Sequence, residues 1–203
     1  MLVAEPTSTR TRDPARKEKI LTAAAHLIAR DGYHAVSLAE IGREAGIVGS
    51  GVYRHFDSKI AILVALFDGV IDDLLSDEQR IVDRQGDLSR ALDQLVEGQV
   101  EFVVGNRAIA QVYHREIANL PDEDSRRLRR KQRLYVEDWV HVVSEQRPDL
   151  DDGTARTLVH AAISAIQSTL FHNSGLSDVR LRHVLAVSAR AVLGVPVAAR
   201  TPW

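Results

Sequence analysis

Ser37-Leu38-Ala39-Glu40-Ile41-Gly42-Arg43-Glu44-Ala45-Gly46-Ile47-Val48-Gly49-Ser50-Gly51-Val52-Tyr53-Arg54-His55-Phe56-Asp57-Ser58-Lys59 is the stretch on which the fold of this chain turns. It opens with S-x-x-E, a capping box in which the serine oxygen accepts the N3 amide hydrogen and the glutamate reaches back to the cap. The helix it starts is short, because Ala45-Gly46 supplies a small residue and then one that accepts the left-handed turn. A second short helical segment follows from Gly49 to Phe56. Leu38, Ile41, Ile47 and Val52 are spaced to pack the two segments together. This is the pattern of a helix-turn-helix, whose second helix lies in the DNA major groove. At the exposed end, Tyr53, Arg54, His55 and Lys59 offer a phenol, a guanidinium, an imidazole and an ammonium, all able to hold phosphate oxygens. Phe56 is expected to anchor internally and Ser58 to cap the next helix.

Outward from this stretch the chain reads as helix throughout, with no run of strict alternation. Asp13-Pro14 makes an N-cap and first-turn proline for a helix to about Arg30 that buries Ile20, Ala24, Leu27 and Ile28, closed by Gly32. A long helix runs from about Lys59 to Val82, with Leu63, Leu66, Phe67, Val70, Ile71 and Leu74 on one stripe. Later helices span about 87–105, 107–119, 122–146, 152–173 and 177–194, the last two joined through Ser174-Gly175-Leu176. The expected fold is all-α with about nine helices. Residues 1–13 form a disordered basic arm, 14–58 a three-helix helix-turn-helix unit, and 59–203 a helical ligand-binding and dimerisation bundle. No flexible tether separates the two folded parts.

Composition bounds the function. The chain has 203 residues, 45% of them hydrophobic and 27% charged, and no cysteine. That is the make-up of a folded protein without thiol catalysis, disulfides or cysteine-ligated metal. No apolar run approaches the roughly 20 residues that span a bilayer, so no membrane partner is expected. The opening MLVAEPTSTRTRD lacks an apolar core, so no signal peptide is expected and the compartment is the cytoplasm. The formal net charge of -2 argues against a nucleic-acid partner only until it is divided. Residues 1–60 hold nine basic and seven acidic groups, a net +2, and the remainder is -4. Five of those nine basic residues fall between positions 10 and 19, an arm suited to phosphate. Eight histidines offer no i,i+4 pair with carboxylate support, so no metal or other cofactor is expected. Gly46-Ile-Val-Gly49-Ser50-Gly51 follows a helix rather than a strand, which excludes a dinucleotide loop. No serine elbow is present, and no catalytic residue is assigned.

The string from Ile20 to Phe67 resembles the TetR family of transcriptional regulators. The likeness rests on the Ala24/Leu27 face, the turn near Gly32, Ala45-Gly46-Ile47, and Tyr53-x-His55-Phe56-x-Ser58-Lys59. The resemblance implies a homodimer that holds double-stranded operator DNA until a small molecule enters its C-terminal domain. It places Tyr53, His55 and Lys59 on the DNA backbone and makes Ser37 a phosphate-contacting cap. Arg54 is suited to phosphate or to a guanine edge. Val48, Ser50-Gly51 and Ala39 depart from the usual pattern, leaving Ser50 and Arg54 for base readout, with Gly49 and Gly51 allowing close backbone approach. Selectivity would then lean on DNA shape and the arm.

An effector site needs an apolar cavity with a few orienting polar groups. Gln99 sits in the stripe of Leu88, Leu92, Leu95 and Phe102, and Gln132 interrupts the arc of Tyr135 and Trp139. Tyr113, Gln167 and Phe171 lie on or beside apolar faces. These eight, Gln99, Phe102, Tyr113, Gln132, Tyr135, Trp139, Gln167 and Phe171, are the candidate pocket; interhelix hydrogen bonding is the alternative for the glutamines. Small residues Ala161, Ala162, Ala165, Ser168 and Thr169, with Ala186, Val187, Ala189 and Val192, mark the last two helices for a twofold four-helix interface. The run Arg126–Arg133 holds six basic residues, a solvated face or a mouth for an anionic ligand such as an acyl-coenzyme A. The reading is a ligand-responsive repressor on a pseudo-palindromic operator, released by a small, largely apolar molecule. Two alternatives stay open: a ligand-independent DNA-binding protein of the same fold, and a helical-bundle enzyme or carrier.

Overall fold

A computed structural model describes residues 14–47, 49–82 and 88–195. Among them the fold is all-α, with no strand. The helices are α1 (Pro14–Asp31), α2 (Leu38–Glu44), α3 (Lys59–Val82), α4 (Leu88–Gly105), α5 (Arg107–Glu116), α6 (Asp122–Gln146), α7 (Asp152–Gln167) and α8 (Asp178–Leu193). Three short 3-10 segments join them at Gly49–Arg54, Ile117–Asn119 and Ser168–Phe171. The chain forms two compact units, one ending at Leu63 and the other beginning at Val64, so the division falls inside α3. The expected Asp13 cap, the basic arm, Val48 and a start at Asp87 lie outside the described residues.

The first unit is built as its local signals require. Ile20, Ala24, Leu27 and Ile28 are buried on α1, and Gly32 (φ 87°) ends it. Gly46 (φ 66°) makes the turn after α2, a conformation that costs a residue with a Cβ about 1–2 kcal/mol. The segment expected as a ninth helix is 3-10 instead, and it stops at Arg54 rather than Phe56. Two glycines in six residues weaken α-helix by about 1 kcal/mol each, which accounts for the tighter, shorter winding. Val52 and Phe56 are nonetheless buried and hold it to the unit.

In the second unit α8 packs on α7 and α4, and α6 on α7 and α4. Trp139, Val143, Val159, Ile166 and Leu193 are fully buried in this core. Asp151 caps α7 by accepting the Thr154 amide hydrogen at 2.8 Å, and Ser177 caps α8. The helices expected to reach 119 and 173 each finish in a 3-10 turn. At the second of these, Gln111 and Arg107 of α5 donate to the Leu170 and His172 carbonyls, at 2.6 and 2.9 Å. Those bonds satisfy the orphan carbonyls of the helix end. Leu88, expected on the inward stripe of α4, is exposed.

Candidate nucleic-acid interface and effector pocket

The N-terminal unit presents its polar groups in two different ways. Tyr53 and Arg54 are exposed and His55 half-buried, three polar side chains in sequence on a segment that Val52 and Phe56 pin from beneath. Ser37 is exposed but engaged in the full capping box. Its hydroxyl accepts the Glu40 amide hydrogen at 3.2 Å and donates to Glu40 Oε2 at 2.7 Å, while its own N–H donates to the same oxygen at 2.8 Å. Those Ser37 bonds hold the Glu40 carboxyl below its usual range. The Ser50 side chain lies outside the described residues. Ser58 caps α3 by accepting the Ala61 amide hydrogen at 3.1 Å.

Lys59 has a partner set that its sequence position did not reveal. Its ammonium donates to the carbonyls of Tyr33 and Val36, at 2.6 and 2.7 Å, and sits 4.4 Å from the Tyr33 ring centre. The lysine ties the start of α3 to the α1–α2 turn, with one N–H left for another acceptor. Gly51 also has an internal reason to be glycine, since a Cβ there would collide with the Ile47 side chain. At Gly42 a Cβ would lie 2.9 Å from Val52 Cγ2. These glycines set how closely α2 and the reading segment approach.

In the second unit six of the eight expected pocket residues line one cleft: Gln99, Phe102, Tyr113, Gln132, Tyr135 and Gln167. Val70, Ile71 and Leu74 of α3, Val136 of α6 and Ile163 of α7 supply its apolar walls. They were readable only as core stripes, because periodicity does not distinguish a packed face from a cavity wall. The lining carries no Asp, Glu, Lys or Arg. Its free volume is about 50 Å³, room for one or two waters.

The three glutamines each meet an aromatic partner. Tyr135 donates to Gln99 Oε1 at 2.7 Å in the buried end, and Tyr113 donates to Gln132 Oε1 at 3.2 Å at the surface. His114 stands close enough to the Gln167 side chain for it to act on the imidazole. Burial lowers the His114 imidazole, against Gln167, which favours its charged form. Burial pushes the Tyr113 hydroxyl up to about 12, with Arg129 acting the other way, so it remains a donor. His114, which the sequence reading left unassigned, belongs to this site through its place beside Tyr113.

Two expected lining residues are elsewhere, and one is more exposed than anticipated. Trp139 is fully buried in the core away from the cleft, and its Nε1 has no hydrogen-bond partner. Phe171 is 57% exposed, because the 3-10 turn after α7 rotates it outward to stack its ring edgewise with His114 at 5.8 Å. Gln132 is at the mouth rather than on the inward arc of α6.

The basic run of α6 also resolves into distinct partners. Arg127 donates to Asp68 at 2.5 Å and to Asp124 at 3.0 Å, and Lys131 reaches Asp68 at 2.9 Å and Asp72 at 2.6 Å. Burial pushes the Asp68 carboxyl up, but the two cations outweigh it and hold it below its ordinary range. This network fastens α6 to α3 beside the cleft.

Among the described residues no group of three or more His, Cys, Asp or Glu is arranged to hold a metal, and no helix is long and apolar enough to cross a membrane. Residues 20–66 match the family described as bacterial regulatory proteins, tetR family. The transcriptional repressor KstR2 of Rhodococcus jostii (strain RHA1) is 30% identical over 105 residues, 52% of this chain and 52% of that protein. The match therefore spans about half the length of that relative. A TetR-family regulator from Bordetella parapertussis 12822 shares the fold with a TM-score of 0.78, at 22% identity over 90% of this chain and 98% of the other. AibR, solved with isovaleryl coenzyme A and operator DNA, aligns with a TM-score of 0.72, at 18% identity over 85% and 97%. These relatives are regulators of transcription and not enzymes. In residues 20–66 the chain matches the tetR family of bacterial regulatory proteins, and over most of its length it shares the fold of TetR-family transcriptional regulators.

Proposed function

We propose that the chain is a cytoplasmic homodimeric repressor whose operator complex is released by a small, largely apolar effector. The observation that carries this reading is the uncharged cleft of the second unit, walled in part by Val70, Ile71 and Leu74 of α3. That same helix begins at Lys59, next to the reading segment. Residues 14–58 act as the reader and 59–203 as the sensor. Tyr53, Arg54 and His55 hold DNA phosphates, with Ser37, Ser50 and the backbone at Gly51 beside them. Lys59 serves chiefly by fixing the α1–α2 turn. The dimer forms through α7 and α8, which places the two reading segments about 34–36 Å apart or somewhat more.

An effector that occupies the cleft displaces the α3 wall and favours the conformer whose readers no longer match the groove. A preference of about 10² to 10³ for that conformer supplies roughly 3–4 kcal/mol, enough for release. An acyl-coenzyme A fits the combination of apolar walls, orienting amides and nearby cations, and AibR is a structural neighbour solved with such a ligand.

Fluorescence anisotropy with duplexes from upstream of the protein's own gene tests the reading. Binding with a steep negative salt slope, reversed by an added effector, is expected. Binding that is absent, or indifferent to salt, would refute it. A second reading has one observation in its favour. The cleft's 50 Å³ and its hydrogen-bonded glutamines suit a closed core, in which case the protein binds DNA without a ligand and no effector reverses it.

A further inference from the structure

The six basic residues of Arg126–Arg133 divide by partner. Arg127 and Lys131 are engaged with Asp68, Asp72 and Asp124, and Arg126 reaches Asp122 at 3.9 Å. Among the described residues no acid pairs with Arg129, Arg130 or Arg133, and all three are exposed. Three unneutralised guanidiniums within five positions repel one another, an arrangement that an anion relieves.

Two of the three share a helix face with residues of the cleft. Arg129, Gln132, Arg133 and Val136 follow the i, i+3, i+4, i+7 spacing of one helix face, and Gln132 and Val136 both line the cavity. Arg130 is turned about 100° away. The cavity itself runs from exposed His114 and Gln132 inward to buried Gln99 and Tyr135. Arg129 is also near enough to the Tyr113 hydroxyl, the gate partner of Gln132, for its charge to act on it. From mouth to floor the order is cation, polar gate, apolar wall, and a buried amide–phenol pair.

We propose that Arg129 and Arg133 bind the phosphate-bearing head of an amphipathic effector whose apolar tail passes the Tyr113–Gln132 gate into the cleft. This rests on the effector reading above and names the effector's class. Guanidinium matches phosphate bidentately, and a head with several phosphates suits two adjacent guanidiniums better than a single carboxylate does. Opening the gate breaks one exposed hydrogen bond, which water replaces.

The test is calorimetric titration of the full chain, without DNA, using butyryl-, octanoyl- and stearoyl-coenzyme A, coenzyme A alone, octanoate and methyl octanoate. An acyl-coenzyme A should bind more tightly than octanoate, and its affinity should fall with salt. The Arg129→Gln/Arg133→Gln protein should lose about tenfold or more of that affinity, most of the salt dependence, and nothing toward methyl octanoate. Arg129→Lys/Arg133→Lys should recover part of the loss, and Arg126→Gln/Arg130→Gln should lose less. The proposal is overturned if no acyl-coenzyme A binds, if octanoate binds as tightly, or if the double glutamine variant binds like the wild type. It is also overturned if that variant loses operator affinity instead, which would assign the row to DNA. Failure of the regulator reading shows separately, as absent operator binding by the wild-type protein.

Discussion

Tyr135 of α6 donates its phenolic hydrogen to the side-chain carbonyl of Gln99 on α4, 2.7 Å away, with both side chains buried. The bond makes a polar floor for an apolar cleft and joins two helices that both line it. Replacing one partner leaves the other desolvated. Gln99→Leu and Tyr135→Phe should therefore each cost about 1–3 kcal/mol in chemical denaturation. The double variant should cost less than the two singles together, with a coupling of about 1 kcal/mol or more. Strict additivity would mean that the pair is not a unit. Operator affinity should be kept by all three proteins.

Lys59 and Arg54 are five residues apart and should respond to substitution in opposite ways. Lys59→Met loses two carbonyl partners and the Tyr33 ring, so the melting temperature should fall while the salt slope of operator binding stays nearly constant. Arg54 is exposed, and Arg54→Ala should leave the melting temperature alone while reducing that slope by about one. If Lys59→Met instead flattens the slope at unchanged stability, the lysine is a phosphate contact first.

That contrast shows where sequence reasoning reaches. The capping box at Ser37, the turn at Gly46, the buried Val52 and Phe56 and the stop at Gln146 each depend on a few neighbouring residues, so they were legible. The Lys59 bonds span 26 and 23 residues, and the Arg127–Asp68 pair spans 59. Such partners depend on how helices meet, which no periodicity encodes. Within the pocket, inward position was readable for Gln99 and Tyr135 but not the difference between wall and core, which is why Trp139 was misplaced. Phe171 is exposed for a local reason: its helix tightens to 3-10 at Ser168, three residues earlier, and turns its side chain out.

The α3–α6 network predicts a defined pH response. The Asp68 carboxyl is lower in the folded protein than its ordinary value of 3.8, so its contribution is complete above that value and is lost as pH falls through the folded one. Burial pulls Lys131 down, but Asp72 and Asp68 raise it above 10.5, so its share is complete below that value and is lost as pH rises further. Across the neutral range the network should be constant. Asp68→Asn should cost about 1 kcal/mol there, since the groups are partly exposed, or about 2–4 °C in melting temperature. The gap between wild type and variant should close below about pH 3.8. A gap that persists in acid would show that the loss comes from packing rather than charge.

Gly42 and Gly51 give the sharpest test of the reading segment's placement, because one faces the segment from α2 and the other lies within it against Ile47. A methyl group at Gly42 would stand 2.9 Å from Val52 Cγ2 and 3.3 Å from the Ile47 carbonyl oxygen. Val52 is buried and β-branched, so it has one comfortable rotamer and little room to yield. A methyl group at Gly51 would strike the Ile47 side chain, which is equally stiff. In both cases relief comes from moving the segment away from α2, and Tyr53, Arg54 and His55 move with it. Gly42→Ala should raise helix propensity by about 1 kcal/mol in α2 and still lower stability, since overpacking costs about 1–3 kcal/mol. Operator affinity should fall about tenfold or more for each variant, with effector binding to the second unit unchanged. Ile47→Leu removes the Cγ2 methyl group from the contact and should restore part of the affinity of Gly51→Ala. If Gly51→Ala weakens DNA binding and Ile47→Leu does not relieve it, the glycine is required by the approach of DNA itself.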